Sequence, residues 1–283
     1  MERSLWIKKI RESSASPTKS LGQNFLVDDR ISTEIVKAAG ILSSDHVLEI
    51  GPGLGALTEK ISERADRLTA VEIDRRLEDP LRALFAENQK VRILYSDFLK
   101  LDHKELFWNG DYPNICLSNL PYYAMTPILL KLLRLSSDFR VMVFMVEKVA
   151  CERIFASPGS KSYGPLSVFF SAFGKLERLF DVRPDSFFPS PHTVSTLLRF
   201  SHDEKREDVS AVFIPLVQMA FAQRRKTILN TFSNSGFFPE GKDHVASVLK
   251  KAAISGKMRA EELSCSQYAA LAKLVEKDAV KKK

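Results

Sequence analysis

Cysteine is scarce: Cys116, Cys151 and Cys265 are the only three in 283 residues. They are widely spaced and odd in number, and none belongs to a Cys-x-x-Cys or a Cys/His cluster. That excludes a finger-type zinc site and a disulfide framework. Cys116, set in an apolar run, reads as a small buried hydrophobe. Long apolar runs are missing too, none approaching the ~20 residues that a spanning helix needs. The opening Met1–Ser20 has no apolar core of a secretory signal; its Ser and Lys/Arg content suits a transit peptide, but Glu2 and Glu12 interrupt that pattern. Internal repeats and low-complexity tracts are absent as well. The expectation is a cytoplasmic protein with no metal and no membrane contact.

An ordinary globular composition remains, 45% hydrophobic and 27% charged, over a length that suits one large domain plus a small one. The net charge of +7 is unevenly spread. Residues 1–20 hold five basic and two acidic groups, 201–283 hold 15 against 10, and the middle is nearly balanced at 22 against 23. A balanced body with basic ends suits a polyanion gripped outside the chemical centre, although Lys281-Lys282-Lys283 alone is an ordinary solvated tail.

From about residue 30 to 200, strand-like and helix-like segments alternate. Val47–Ile50, Arg67–Ile73, Val91–Tyr95, Ile115–Ser118 and Val141–Val146 read as strands, with helices near Ala56–Arg64 and Thr126–Leu135. Repeated β-then-α units predict a parallel sheet covered by helices. Lys175–Val182 and Thr193–Phe200 read as a late pair of strands joined across a Pro-rich turn. The charged run Ser201–Ser210 marks a boundary, after which Val212–Phe221, Thr227–Phe232, Asp243–Lys251 and Glu261–Lys277 are helical, punctuated by Gly236, Pro239 and Gly256. The predicted layout is a flexible basic tail over 1–20, an α/β domain over 21–203, and a small all-α domain over 204–283.

The chemistry concentrates in two places. Val47-Leu48-Glu49-Ile50-Gly51-Pro52-Gly53-Leu54-Gly55 is a buried strand entering a glycine turn that opens a helix, where a ligand can approach the main chain. A Gly-x-Gly-x-Gly alone is equally a tight strand-to-helix turn. Glu72, however, ends the next strand 21 residues after Gly51, a spacing at which an acid accepts both hydroxyls of a ribose. Asp97, after the third strand, is placed to accept from an adenine amino group. The third glycine comes one residue early for a pyrophosphate-binding fingerprint, and Glu49 stands before the turn. That Glu-x-Gly-x-Gly-x-Gly pattern resembles the first motif of S-adenosylmethionine-dependent methyltransferases.

The second place is Asn119-Leu120-Pro121-Tyr122, after the fourth strand. An aromatic amino group is a poor nucleophile because its lone pair is delocalised. Two acceptors, the Asn119 side-chain oxygen and the Leu120 carbonyl, can bind its hydrogens and favour a tetrahedral nitrogen. Pro121 fixes the turn, and Tyr122 offers a stacking face worth ~1–3 kcal/mol. The competing reading is a strand-end turn capped by Asn, with Tyr packed as core.

These motifs, with Gly22-Gln23-Asn24-Phe25-Leu26, Val71-Glu72-Ile73-Asp74, Ser160-Lys161-Ser162-Tyr163-Gly164, Phe187-Phe188-Pro189-Ser190-Pro191, Phe221-Ala222-Gln223-Arg224-Arg225-Lys226 and Arg259-Ala260-Glu261-Glu262-Leu263-Ser264, make the chain closely resemble ribosomal RNA adenine N6-dimethyltransferases from Leu21 to about Ser264. The resemblance implies a Rossmann-like class I methyltransferase with a mixed seven-stranded sheet and a helical RNA-binding domain. It implies S-adenosylmethionine held by Asn24, Leu26, Gly51, Glu72, Asp97 and Asn119. A flipped adenine would lie between Tyr122 and Phe187, with Phe188 able to exchange roles with Phe187. RNA backbone would fall to Arg224, Arg225 and Lys226, for which a solvated basic turn is the alternative. The implied activity is dimethylation of two adjacent adenosines near the 3′ end of small-subunit (16S) ribosomal RNA, carried out on the pre-30S particle with a role in its biogenesis; a monomer is the default state.

His192, Thr193-Val194 and Glu147-Lys148-Val149 depart from the commonest family pattern and bear on RNA contacts rather than on the pocket. A large-subunit methyltransferase of the macrolide-resistance type is a neighbouring possibility, but that group usually has Ile in place of Leu120 and a different C-terminal domain. A mainly non-catalytic ribosome-assembly factor on the same fold is the alternative from another class.

Overall fold

The computed structural model describes residues 7–8, 17, 22–203, 209–235, 238 and 240–280. The expected tail therefore lies almost wholly outside the described residues, as do Leu21, Gly236, Pro239 and most of the charged run after Ser201. By backbone proximity the chain divides into two units. The first comprises 1–148 and 176–202, and the second 149–175 and 203–283. The boundary near 203 falls where the composition changes, but the segment 149–175 groups with the C-terminal helices, which a reading along the chain does not anticipate.

From residue 22 onward the first unit runs through the two-residue strand β1 (Phe25–Leu26) and helix α1 (Asp29–Ala39). Asp28 caps α1 by accepting from the Arg30 and Ile31 amides, and Gly40 ends it in the left-handed region at φ 60°, the usual start and stop of a helix. There follow β2 (His46–Ile50), α2 (Ala56–Ser62), β3 (Arg67–Glu72), α3 (Glu78–Phe85), β4 (Val91–Tyr95), β5 (Ile115–Asn119), α4 (Met125–Arg134) and β6 (Val141–Glu147). Helices α5 (Lys148–Ile154) and α6 (Pro165–Phe173) precede β7 (Gly174–Val182), β8 (Phe187–Phe188) and β9 (Ser195–His202).

Seven strands form one sheet in the order β4-β3-β2-β5-β6-β9-β7. The pairs among β2 to β6 are parallel, and β9 runs antiparallel to β6. The sheet is thus mixed, as the resemblance implies, and the expected late strands are both in it. The order reverses between β2 and β5, so a crevice opens there beyond their carboxyl ends, where doubly wound sheets bind ligands. Alternation along the strands sends Val47, Ile115, Leu117, Val143 and Met145 to one face, against Ile35, Val36, Leu57 and Ile61 of α1 and α2. Each such fully buried side chain contributes roughly 1.5–3 kcal/mol. Glu49 shares that face with Val47 by the same period of two.

A separate antiparallel ladder pairs β1 with β8, placing Phe25 opposite Phe188 and Leu26 opposite Phe187. No sequence pattern announces two-residue strands so far apart. In the second unit, α5 and α6 join α7 (Phe213–Ala222), α8 (Ile228–Ser233), α9 (Gly241–Lys251) and α10 (Cys265–Val280). The last helix starts four residues later than its hydrophobic pattern predicts. Ser264 and Gln267 form a reciprocal cap there: the Gln267 amide donates to Ser264 Oγ at 3.2 Å and the Ser264 amide to Gln267 Oε1 at 2.9 Å. Tyr163 and Tyr268 are buried and donate their hydroxyls to the carbonyls of Leu263 and Ala260 at 3.0 and 2.8 Å.

Candidate active site and cofactor pocket

The cavity at the switch point is lined by the Gly22–Leu26 segment, the turn after β2, the ends of β3 and β4, and Asn119, Leu120, Pro121, Tyr123, Ala124 and Ile128 after β5. Its glycine floor is required by geometry. Gly53 and Gly55 sit at φ 58° and 91°, and a Cβ on them would come within 2.9 Å of Phe25 Cδ1 and 2.7 Å of Phe85 Cε2. Gly51 instead looks across the crevice, its nearest neighbour in that direction being the Asn119 carbonyl at 3.9 Å.

Glu72 is 4% exposed, and both its oxygens are aimed by backbone amides, Oε2 by Gly53 at 3.1 Å and Oε1 by Asp74 at 2.8 Å. Burial pushes its pKa up to about 7, against the lowering effect of those two amides, and the Asp74 charge adds to the rise. Asp74 is held below the usual carboxylate range, first by its bonds to the Arg76 guanidinium and then by Gln23. Gln23 Nε2 donates to Asp74 Oδ2 at 2.8 Å, which moors the Gly22–Leu26 segment to the end of β3.

Glu49 is deeper, 1% exposed. Its Oε2 accepts from the Thr58 hydroxyl at 2.7 Å, whereas Oε1 has no hydrogen-bond partner among the described residues. Burial pushes its pKa up to about 8; the Thr58 bond opposes this and the Glu72 charge reinforces it. Two carboxyls made reluctant to ionise alongside one cavity favour a ligand that brings positive charge. A sulfonium with an amino-acid tail and a nucleoside fits this donor set: acids for the cation and ribose, open glycine backbone, and apolar walls.

Asp97 turns its own loop by accepting the Leu99 amide at 3.0 Å, and it lines the cavity with Ile73 and Leu99. Across from it, Ser118 Oγ donates to the Ile50 carbonyl at 2.7 Å, clamping β5 to β2 just before Asn119. Asn119 Nδ2 donates to the Asn24 carbonyl at 3.2 Å. With its donor end engaged, the amide retains Oδ1 as an acceptor.

Among the predicted residues, Asn24, Leu26, Gly51, Glu72, Asp97, Asn119, Leu120 and Pro121 thus come together. The Tyr122 side chain lies outside what is described. Phe187 is not among the residues lining the cavity: it is 2% exposed in the apolar cluster that also holds Leu26. Pairing of β8 with β1 sets Phe187 opposite Leu26. Phe188, its expected substitute, is half-buried and packs on the same cluster. Thr58, Gln23, Ile73, Leu99 and Tyr123 join the site besides the predicted residues; Gln23 and Ile73 lie inside recognised motifs and Tyr123 directly follows one, whereas Thr58 carries no sequence signal.

In the second unit, Arg224 is engaged with the protein itself. Its Nη2 donates to the Tyr163 carbonyl at 2.9 Å and the Lys161 carbonyl at 3.4 Å, its Nε faces Glu261 at 3.6 Å, and the guanidinium lies over Phe221. It therefore joins three of the recognised motifs. Arg225 and Lys226 follow it as exposed side chains. Two of the departures from the family pattern answer each other in the first unit, Thr193 Oγ1 donating to Glu147 Oε1 at 3.4 Å. Among the described residues there is no group of three side chains that could hold a metal and no helix long and apolar enough to cross a membrane.

A glycine turn at the switch point of this sheet, an acid closing the next strand and Asn-Leu-Pro-Tyr closing a further one, with the family match that follows, define a Rossmann-like class I methyltransferase. The chain belongs to the ribosomal RNA adenine dimethylase family, whose profile matches residues 15–277. It is 40% identical over 277 residues to the ribosomal RNA small subunit methyltransferase A of Pelotomaculum thermopropionicum, covering 93% of this chain and 92% of the relative. The protein of that name from Halothermothrix orenii is 37% identical over 268 residues, covering 93% and 89%. In structure the chain resembles a dimethyladenosine transferase from Plasmodium falciparum, with TM-score 0.71, 24% identity, and 87% and 95% of the two chains covered. It also resembles the 23S rRNA methyltransferase ErmE, with TM-score 0.61, 21% identity, and 89% and 100% covered. At these identities the structural likeness is one of fold.

Proposed function

We propose that this protein uses S-adenosylmethionine to dimethylate N6 of two adjacent adenosines near the 3′ end of small-subunit (16S) ribosomal RNA. Family membership and relatives named small subunit methyltransferases support the substrate. The observation that carries the chemistry is the Asn119 amide, anchored through its nitrogen to Asn24 and left with an acceptor oxygen at the rim of the cavity.

When bound, S-adenosylmethionine supplies an electrophilic methyl group on a sulfonium sulfur. Glu72 would hold the ribose, Asp97 the adenine, Asn24 and Leu26 the amino-acid end, and Gly51 would admit the cofactor close to the main chain. Asn119 Oδ1 and the Leu120 carbonyl would accept the two hydrogens of the target amino group and direct its lone pair into the cavity. Tyr122 would supply the stacking face, while Phe187 backs Leu26 from the core. No strong base is required, because the methylated nitrogen is acidic once formed; most of the rate comes from alignment. Arg225 and Lys226 would meet RNA phosphates, and Arg224 would brace them. A cytoplasmic monomer acting on the pre-30S particle, with a part in its biogenesis, completes the reading.

The test is methyl transfer from labelled S-adenosylmethionine to small subunits lacking methylation at their 3′-terminal adenosines, with large subunits in parallel. The expected product is labelled N6,N6-dimethyladenosine in small-subunit RNA. Label confined to large subunits would reassign the substrate, and absence of label with small subunits still bound would leave an assembly factor.

A further inference from the structure

Lys131 lies on α4, one turn beyond Ile128, a residue of the cavity wall. Its ammonium is partly buried, donates to the Phe98 carbonyl at 2.6 Å and to the Leu101 carbonyl, and rests 4.7 Å from the centre of the Phe98 ring. Both carbonyls belong to residues of the turn that follows β4, and Phe98 and Leu101 are buried. The rest of that turn is closed from within, by the Lys100 amide to the Asp97 carbonyl at 2.9 Å and the Leu99 amide to Asp97 Oδ1 at 3.0 Å. The Ser96 amide ties the start of the turn to β3 through the Glu72 carbonyl at 2.9 Å, and Lys131 fastens the Asp97–Leu101 part to α4. Burial lowers its pKa, with Asp102, Asp97 and Glu105 opposing the fall; a lysine brought there for packing alone would be better replaced by methionine.

The two structures it joins both line one cavity, Ser96, Asp97, Phe98 and Leu99 from the turn after β4, and Leu120, Pro121, Tyr123, Ala124 and Ile128 from the segment that follows β5. We propose that Lys131 is a positioning residue that pins the Asp97–Leu101 turn to α4, and so fixes the purine end of the cofactor site relative to the reaction-centre segment Asn119–Tyr122. The proposal rests on the reading that Asp97 receives the cofactor's adenine. Loss of the pin lets Asp97 drift, and Asp97 then contributes little to binding.

The experiment is a double-mutant cycle on the full chain, with S-adenosylhomocysteine affinity measured by calorimetry for the wild type, Asp97→Ala, Lys131→Met and the double variant. Each single change is expected to weaken binding about tenfold, and the double variant to be little weaker than either, because coupled residues are not additive. Lys131→Arg, which keeps donors for both carbonyls, is expected to stay within about threefold of wild type, and it keeps the test open should the methionine variant fold poorly. Fully additive losses, or a Lys131→Met protein that binds normally while Asp97→Ala does not, would overturn the pin. Unchanged affinity in Asp97→Ala would instead remove the adenine assignment, and the proposal with it.

Discussion

Asn119 and Asn24 stand 95 residues apart in the chain and meet at 3.2 Å, the side-chain nitrogen of the first donating to the backbone carbonyl of the second. That contact engages the amide nitrogen and leaves Oδ1 as the acceptor. On the proposed role of Oδ1 as an acceptor for the target amino group, Asn119→Ala should lower kcat by ~10²–10³, as loss of other positioned polar groups does. Small-subunit binding, measured in parallel, should change little. An equal loss of both would mean that Asn119 shapes the pocket rather than the reaction.

Glu49 and Glu72 give stability a distinctive pH dependence. Their folded pKa values, about 8 and about 7, lie above the ordinary 4.5. The folded state therefore holds protons that the unfolded chain releases, and stability should fall as pH rises from about 4.5, flattening for Glu72 above about 7 and for Glu49 above about 8. Denaturant midpoints of the cofactor-free protein at pH 5, 6.5 and 8 should show this decline. Glu49→Gln should have a visibly shallower decline; parallel curves for the two proteins would contradict the assignment.

Gly55 offers a test of the turn as architecture. Alanine there would have to adopt φ 91° and would press on Phe85. Strain of this kind costs ~1–3 kcal/mol, or several degrees of melting temperature in a chain of this size. A Gly55→Ala protein that melts with the wild type would show that the turn relaxes freely.

The basic residues after α7 should separate by role. Arg224→Ala removes the link between the Lys161 and Tyr163 carbonyls and Glu261, so it should lower thermal stability. Arg225→Ala and Lys226→Ala should leave melting unchanged and each reduce the salt dependence of RNA binding by about 0.7–0.9 in the log–log slope. Identical behaviour of all three would remove the distinction drawn here.

How much of this was legible depends on range. The strand, glycine turn and helix around Gly51–Gly55, the acid at Glu72 and the turn at Asn119–Tyr122 are local patterns, each set by a few consecutive residues, and they were readable. Periodicity extends the last helix back through Glu261–Leu263, and only the Ser264–Gln267 cap says where the helix begins. The motif around Phe187 suggests a stacking partner for the target base, whereas its pairing opposite Leu26 and its burial are visible only in the fold.

The sequence by itself determined the strands of the main sheet, the family and the chemical groups, because propensity, alternation and turn chemistry act over a few residues. Tertiary structure alone decided which groups face one another. Gln23 reaches Asp74 across 51 positions, Lys131 reaches Phe98 across 33, and 149–175 leaves the α/β unit to join the C-terminal helices. Those choices follow from packing a whole sheet and satisfying buried polar groups together, a condition that no short stretch of sequence contains.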